Sequence, residues 1–241
     1  MRAGIISDIH SNLPALEKVL EDIDARGADE IFCLGDIVGY GANPQECLAL
    51  VREKCTKVVA GNHDLGVVGK ADLSRFSTSA RIAAEWTADV LDFDERKYLA
   101  ELPLKIEDGD MCLVHASPRE PARWEYLNFI SMLPGQFASF NGKNCFVGHS
   151  HKPLIWNDFG EKIIPDNRAT FQLEEGTRYF VNAGSIGQPR DGDPRTGYVL
   201  FDDVSSELTF VRLDYDIKKA SDAVEKAGLP EKLASRLYRG F

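Results

Sequence analysis

The chain has 241 residues, a formal net charge of -10, 44% hydrophobic and 27% charged residues. That length can bury roughly 70 to 75% of the unfolded surface, and the even composition, without low-complexity tracts or like-charge blocks, excludes a disordered chain. The acidic balance argues against nonspecific nucleic-acid binding, which rests on excess Lys and Arg. Cys33, Cys47, Cys55, Cys112 and Cys145 form no CxxC pair, which argues against a disulfide framework and a thiolate zinc site.

Asp8 interrupts the first apolar run before it reaches secretory length, and no later run approaches a membrane span. The expectation is a cytoplasmic protein with no membrane partner. The opening run AGIIS reads as a strand. After it, Leu13, Leu16, Leu20 and Ile23 recur at helical spacing, with Asn12 as N-cap, Pro14 in the first turn and Gly27 beyond the end. EIFCLG is the next strand, and NPQE (Asn43 to Glu46) has capping-box spacing that opens a second helix toward Val51. KVVAG follows as a strand. Two helical patterns without a strand between them, Thr78 to Leu91 and Asp94 to Leu102, read as a helical insertion over about residues 72–102.

MCLVH, NCFVG, YFVNAG, GYVLFD and LTFVRLD complete the strand set, several as continuous apolar runs suited to burial on both faces. From Lys152 to about Asp216 no helix is expected, and a second, largely antiparallel sheet is implied for this half. Ile217, Ala220 and Val224, then Leu229, Leu233 and Leu237, predict two short amphipathic helices over about 216–239. No linker divides the chain, so the expectation is one α/β domain over 1–241, with two packed sheets and outer helices.

The polar clusters fall at strand ends. SDIH follows AGII, GD follows IFCL, GNHD follows KVVA, His115 follows MCLV, and GHSH follows CFV. The carboxyl ends of strands in α/β folds are where ligands bind, because the loops there converge on a fixed scaffold. On extended backbone, residues two apart point the same way, so Asp8 with His10, and His149 with His151, would each face one point. All five histidines of the chain, His10, His63, His115, His149 and His151, lie in these clusters. A lone His is more often structural than a ligand, yet a merely structural reading needs five separate coincidences.

In order, the motifs D-x-H, G-D, G-N-H-D, H and G-H-x-H resemble those of the calcineurin-like metallophosphoesterase superfamily, and most of all its small bacterial and archaeal phosphodiesterase branch. The resemblance spans Asp8 to His151 and continues through NAGSIGQPRDGDPRTGY and the tail AGLPEKLASRL. It implies a four-layer αββα sandwich of two mixed β-sheets flanked by helices. It also implies that Asp8, His10 and His151 hold one metal, that Asn62, His115 and His149 hold a second, and that Asp36 bridges both. His63 is left as the imidazole that binds no metal and acts as general acid.

Imidazoles, carboxylates and one amide oxygen suit Mn²⁺, Fe²⁺, Zn²⁺, Ni²⁺ or Co²⁺ without selecting among them, and Mn²⁺ is the expected occupant. Two divalent ions less Asp8, Asp36 and a bridging hydroxide leave about +1, the local positive charge an acidic protein needs to attract phosphate. The implied reaction is attack of the bridging hydroxide on a phosphate ester, a phosphodiester or nucleotide, with His63 protonating the leaving oxygen.

The chain departs from the Ser/Thr phosphatase pattern G-D-x-x-D-R-G, with Gly39 and Tyr40 at the Asp and Arg places. That speaks against a protein phosphatase and leaves open what orients His63. Arg190, Ser185 and Arg119 are the candidate substrate contacts, against ion pairs of Arg190 with Asp191 and Arg119 with Glu120. Trp124 and Tyr126 could stack on a base or simply pack, and the insertion near Trp86 could be a lid or a buttress. A non-catalytic scaffold would be expected to lack metal-binding histidines, and a nuclease on polymer would need a basic track. The expected partner is therefore a small phosphate ester. Homo-oligomer formation stays open.

Overall fold

The computed structural model describes residues 1–127, 130–165 and 169–241. The first half contains β1 (Arg2–Ile6), α1 (Leu13–Ala25), β2 (Glu30–Cys33), α2 (Pro44–Lys54), β3 (Lys57–Val58), α3 (Asn62–Val67), α4 (Thr78–Val90), α5 (Phe93–Glu101), β4 (Lys105–Asp108) and β5 (Met111–Val114). The second contains α6 (Leu133–Phe137), β6 (Asn144–Val147), β7 (Leu154–Asn157), β8 (Lys162–Ile163), β9 (Thr170–Gln172), β10 (Tyr179–Asn182), β11 (Thr196–Asp202), β12 (Glu207–Leu213), α7 (Ile217–Lys226) and α8 (Glu231–Ser235).

Among the described residues the strands form two six-stranded sheets, ordered β3-β2-β1-β11-β12-β9 and β4-β5-β6-β10-β7-β8. Both are mixed. In the first, β1, β2 and β3 run parallel while β11 pairs antiparallel with β1. In the second, β5, β6 and β10 run parallel while β4 and β7 are antiparallel to their neighbours. The expectation of a separate antiparallel sheet built by the second half is thus corrected. β11 and β12 return to extend the first sheet beyond β1, because Gly4 and Ile5 of β1 register with Leu200 and Val199.

Strand periodicity sorts the apolar side chains. Ala3 and Ile5 of β1 face an inter-sheet core with Phe32, Leu113, Phe146, Val181, Val199 and Phe210. Ile6 turns to the other face, against Leu16, Val19 and Ile23 of α1. On the outside of the second sheet, Cys112, Val114, Cys145 and Val147 pack with Leu133 and Phe137 of α6. Apolar packing on both faces explains why so many strands read as unbroken hydrophobic runs.

Helix starts follow their caps. The Asn12 side chain accepts from the Ala15 amide, and Gly27 takes φ 65 beyond the end of α1. Asn43 instead makes no cap bond. Its amide donates to Glu46 Oε1 at 3.1 Å, so the expected capping box is replaced by a side-chain pair, and Pro44 starts α2, which runs past Val51 to Lys54. Helices α4 and α5 occupy the predicted insertion. The short α3 begins with Asn62, His63 and Asp64, so the GNHD motif that follows β3 lies at a helix start. Among the described residues no helix is long and apolar enough to cross a membrane.

Candidate metal centre

The parallel strands of both sheets end at one edge, and the loops beyond them meet there. The Leu34 and Asp8 amides donate to Ile6 and Gly35, and the Ile186 and Gly187 amides of the loop after β10 donate to Ser7 and Asp8. This edge is also where the backbone is strained. Asp8, His10, Asp36, His149 and His151 all have φ between 49 and 64, in the left-handed region that side chains with a Cβ rarely adopt. The pairs two residues apart therefore converge through left-handed turns. They are not extended chain, as the sequence reading supposed.

The ligand-type atoms of Asp8, His10, Asp36 and His151 lie within 4.8 Å of one another, as do those of Asp36, His115 and His149. Asp36 is common to both groups. All are buried. His151 Nε2 is 3.1 Å from Asp8 Oδ1, His10 Nε2 is 3.6 Å from Asp36 Oδ2, and His115 Nε2 is 3.3 Å from the same Asp36 oxygen.

Each side chain is fixed on one side and open on the other. His10 Nδ1 donates to the Val38 carbonyl (3.2 Å), His115 Nδ1 to Leu34 (2.8 Å), His151 Nδ1 to Gln188 (2.6 Å) and His149 Nε2 to Trp124 (3.0 Å). A carbonyl only accepts, so the proton of each neutral imidazole sits on that nitrogen and the other carries a lone pair. Asp8 Oδ2 accepts from Ser7 Oγ and the His149 amide, and Asp36 Oδ1 from the His63 amide, leaving Asp8 Oδ1 and Asp36 Oδ2 facing the histidines.

The donor set fits divalent cations. The lone-pair nitrogens of His10 and His151 face each other at 3.1 Å. Asp8 Oδ1, His115 Nε2 and Asn62 Oδ1 are buried with no hydrogen-bond partner among the described residues. His115 can take up a proton toward Asp36 when no cation is bound, but the converging acceptors of Asp8, Asn62, His10 and His151 have no donor, and that costs free energy unless a cation lies among them.

Without a cation the charges strain against burial. Burial opposes the charged form of Asp8 and Asp36, but the surrounding histidines hold both carboxyls far below the usual range. Burial pulls His149 down to about 3 and His151 to about 4. At His115 burial also acts downward, yet Asp36 and Asp8 overcome it and push the imidazole up to about 9.

His63 stands apart from these groups. Its ring lies 4.8 Å from His10, 4.4 Å from Tyr40 and 4.7 Å from Phe76, and its Nδ1 is buried with no partner among the described residues. A Cβ on Gly39 would sit 2.5 Å from that nitrogen. The imidazole therefore occupies the space of a side chain at 39, and an aromatic box holds it in place of a carboxylate. Burial depresses its pKa well below the ordinary value.

Asp64 does not orient the His63 ring. Its carboxylate accepts the amides of Asp36, Ile37, Val38 and Gly61 at 2.8 to 3.2 Å, tying the loop after β2 to the start of α3. Burial and the neighbouring Asp36 push it up to about 7, against those four donors. Sequence reading missed this role, although an Asp three residues beyond a Gly is a helix-start signal.

The expected substrate contacts separate. Arg190 Nη2 reaches Tyr40 Oη (3.3 Å) and Gln188 Oε1 (3.0 Å), and its amide donates to the His151 carbonyl, so it lies beside the cluster. Asp191 pairs with Arg212, so the alternative reading of Arg190 as its ion-pair partner is not met. Ser185 is corrected. Its hydroxyl is buried and committed to the Asp8 carbonyl and the Gln188 amide, so it braces the loop and offers substrate nothing. Arg119 is exposed, its guanidinium lies toward Gly135 of α6, and Glu120 pairs with Arg123 instead. Tyr126 stacks on His149 with centroids 4.1 Å apart.

A model of the calcineurin-like phosphoesterase superfamily domain matches residues 1–206. The chain belongs to the calcineurin-like phosphoesterase superfamily. A metallophosphoesterase from Sphaerobacter thermophilus superposes with a TM-score of 0.91 at 41% identity, covering 100% of this chain and 99% of that one. An uncharacterized protein of Methanocaldococcus jannaschii is 45% identical, covering 98% of this chain and 97% of its own. Phosphodiesterase YfcE of Escherichia coli is 24% identical over 86% of this chain and 91% of its own. Family and fold thus agree with the expectation drawn from the motifs.

Proposed function

We propose that this phosphoesterase is a two-metal hydrolase of phosphodiesters or nucleotides, with Asp8, His10 and His151 holding one ion, Asn62, His115 and His149 the other, and Asp36 shared. The observation that carries this reading is the meeting of lone pairs from His10, His151 and Asp8 in a buried space without a donor. Its likeness to a protein named as a phosphodiesterase supports the diester preference. Nitrogen and oxygen donors without thiolate admit Mn²⁺, Fe²⁺, Zn²⁺, Ni²⁺ or Co²⁺, and manganese is the ion we expect among them.

When bound, the cations supply positive charge for phosphoryl oxygens and acidify water. The chain's own residues do the rest. Arg190, free of a carboxylate among the described residues, is placed to fork onto a phosphoryl oxygen. His63 gives a proton to the departing ester oxygen as a water oxygen takes its place on phosphorus, so one water is consumed and one P–O bond exchanged. Because burial keeps the free imidazole neutral, the anionic substrate must raise its pKa on arrival. The whole of 1–241 works as one unit, since Phe76 walls His63 and Arg236 lies 5.9 Å over the Tyr40 ring. Five free thiols suit a reducing cytoplasm.

The test is hydrolysis of bis(p-nitrophenyl) phosphate by protein stripped of metal and reloaded with Mn²⁺. Turnover should appear only on reloading. Inactivity with every divalent ion would leave a non-catalytic scaffold.

A further inference from the structure

Beside the metal-type cluster lies a cavity of about 300 Å³ that shares Asn62 and His149 with it. Three aromatic side chains line it, Phe76 from the segment before α4 and Trp124 and Tyr126 from the segment after β5. Its other charged walls are Lys70, Arg75 and Arg123, against a single carboxylate, Asp72. In a chain of net charge -10 this is a local reversal of sign. Lys70 Nζ donates to the Ala100 carbonyl and meets no carboxylate among the described residues, and Arg75 is 3.8 Å from Asp72 at an exposed site. Arg123 pairs with Glu120 at 2.8 Å, also exposed, so both arginines can turn to a ligand at little cost.

The cavity's position links it to the reaction. Phe76 is both a wall of the cavity and a neighbour of the His63 ring at 4.7 Å. An alcohol that departs with the proton of His63 therefore leaves alongside Phe76. At about 300 Å³ the space matches the small end of ligand pockets, enough for a base and ribose and too small for a polymer.

We infer that this cavity seats the leaving half of a dinucleotide-type phosphodiester, with its base among Phe76, Trp124 and Tyr126 and a terminal phosphate on Lys70, Arg75 and Arg123. The inference rests on the phosphoesterase reading above and adds the substrate class. Aromatic walls accept any base through its π-face, so the site selects for the presence of a base and a phosphate more than for base identity.

The test is equilibrium binding to metal-free protein, where the phosphate has no cation to bind, with AMP, adenosine and ribose 5-phosphate as probes. Titration calorimetry should show AMP binding about tenfold or more tightly than either fragment, and the fluorescence of Trp124 should be quenched by AMP. Trp124→Leu should remove the advantage over ribose 5-phosphate, and the double substitution Arg75→Ala with Arg123→Ala the advantage over adenosine. The arginine pair is exposed, so that variant tests the site even if Trp124→Leu fails to fold. Equal affinity for AMP and ribose 5-phosphate, or an advantage that survives in the folded variants, would overturn the assignment. Hydrolysis of bis(p-nitrophenyl) phosphate by manganese-loaded wild type separates the two readings. If the ester is cleaved while AMP shows no preference, only the nucleotide site falls; if no metal supports cleavage, the phosphoesterase reading falls by itself.

Discussion

The cluster at the strand ends and the rim around it are built by different rules. In the cluster every histidine has one ring nitrogen fixed by a backbone carbonyl, and Asp8 and Asp36 each have one oxygen fixed by amides or a hydroxyl. At the rim Arg190, Tyr126 and Arg236 are partly exposed and touch side chains or chain ends. Fixed geometry suits ions, which tolerate little displacement of their ligands, whereas a rim that meets varied organic groups gains from side chains that can shift.

The contrast is most open to attack at the shared ligand. Asp36→Ala should release both ions, with metal analysis falling to background and hydrolysis with it. His63→Ala should part the two properties, keeping metal content while lowering kcat on esters with poor leaving groups by about 10² to 10⁴. Metal loss in that variant would make His63 part of the fixed cluster.

The scaffold behind the cluster comes next. Asp64→Asn keeps the shape but gives up a carboxylate that accepts four amides, and should cost about 3 kcal/mol by urea unfolding. An unchanged midpoint would mean the loop is held by other contacts. At the rim, Arg190→Ala should raise KM about tenfold with metal content intact.

The smallest effect is in the pH response of metal-free protein. His149 and His151 titrate at about 3 and about 4 when folded, against an ordinary 6.5, and His63 is depressed as well. Below pH 6.5 the unfolded chain binds more protons at these sites, so stability falls as pH drops toward 4. Asp64, raised to about 7, opposes this over the same window but is one group against three. His115 acts on the other side. Its stabilising contribution is complete below 6.5 and is lost as pH rises through about 9. Tm of EDTA-treated protein should therefore peak near pH 6.5 and drop on either side, and a monotonic profile would contradict the arrangement of charges.

How much of this was legible beforehand differs by region in the same way. Asp8, His10, Asp36, His115, His149 and His151 could be picked out because chemistry-bearing residues at strand ends have few structural reasons to be there, and the strand runs themselves are unbroken apolar segments. The turns that aim them were not legible. Left-handed backbone at Asp8, His10 and Asp36 is imposed by tertiary bonds such as those to the Asp64 carboxylate, and no local pattern marks it. Sheet membership of β11 and β12 escaped for a similar reason, since pairing with β1 joins residues almost 200 positions apart. Arg190, Arg119 and Ser185 are all candidate contacts in sequence, and only burial and partners separate a rim cation from a surface one and from a buried brace.

The measurement that bears most directly on the account is anomalous diffraction from crystals grown with excess Mn²⁺. It should show two peaks about 3.5 to 4 Å apart, both touching Asp36, one beside His10 and His151 and the other beside His115, His149 and Asn62. A single peak away from Asp36, or none between His10 and His151, would contradict it.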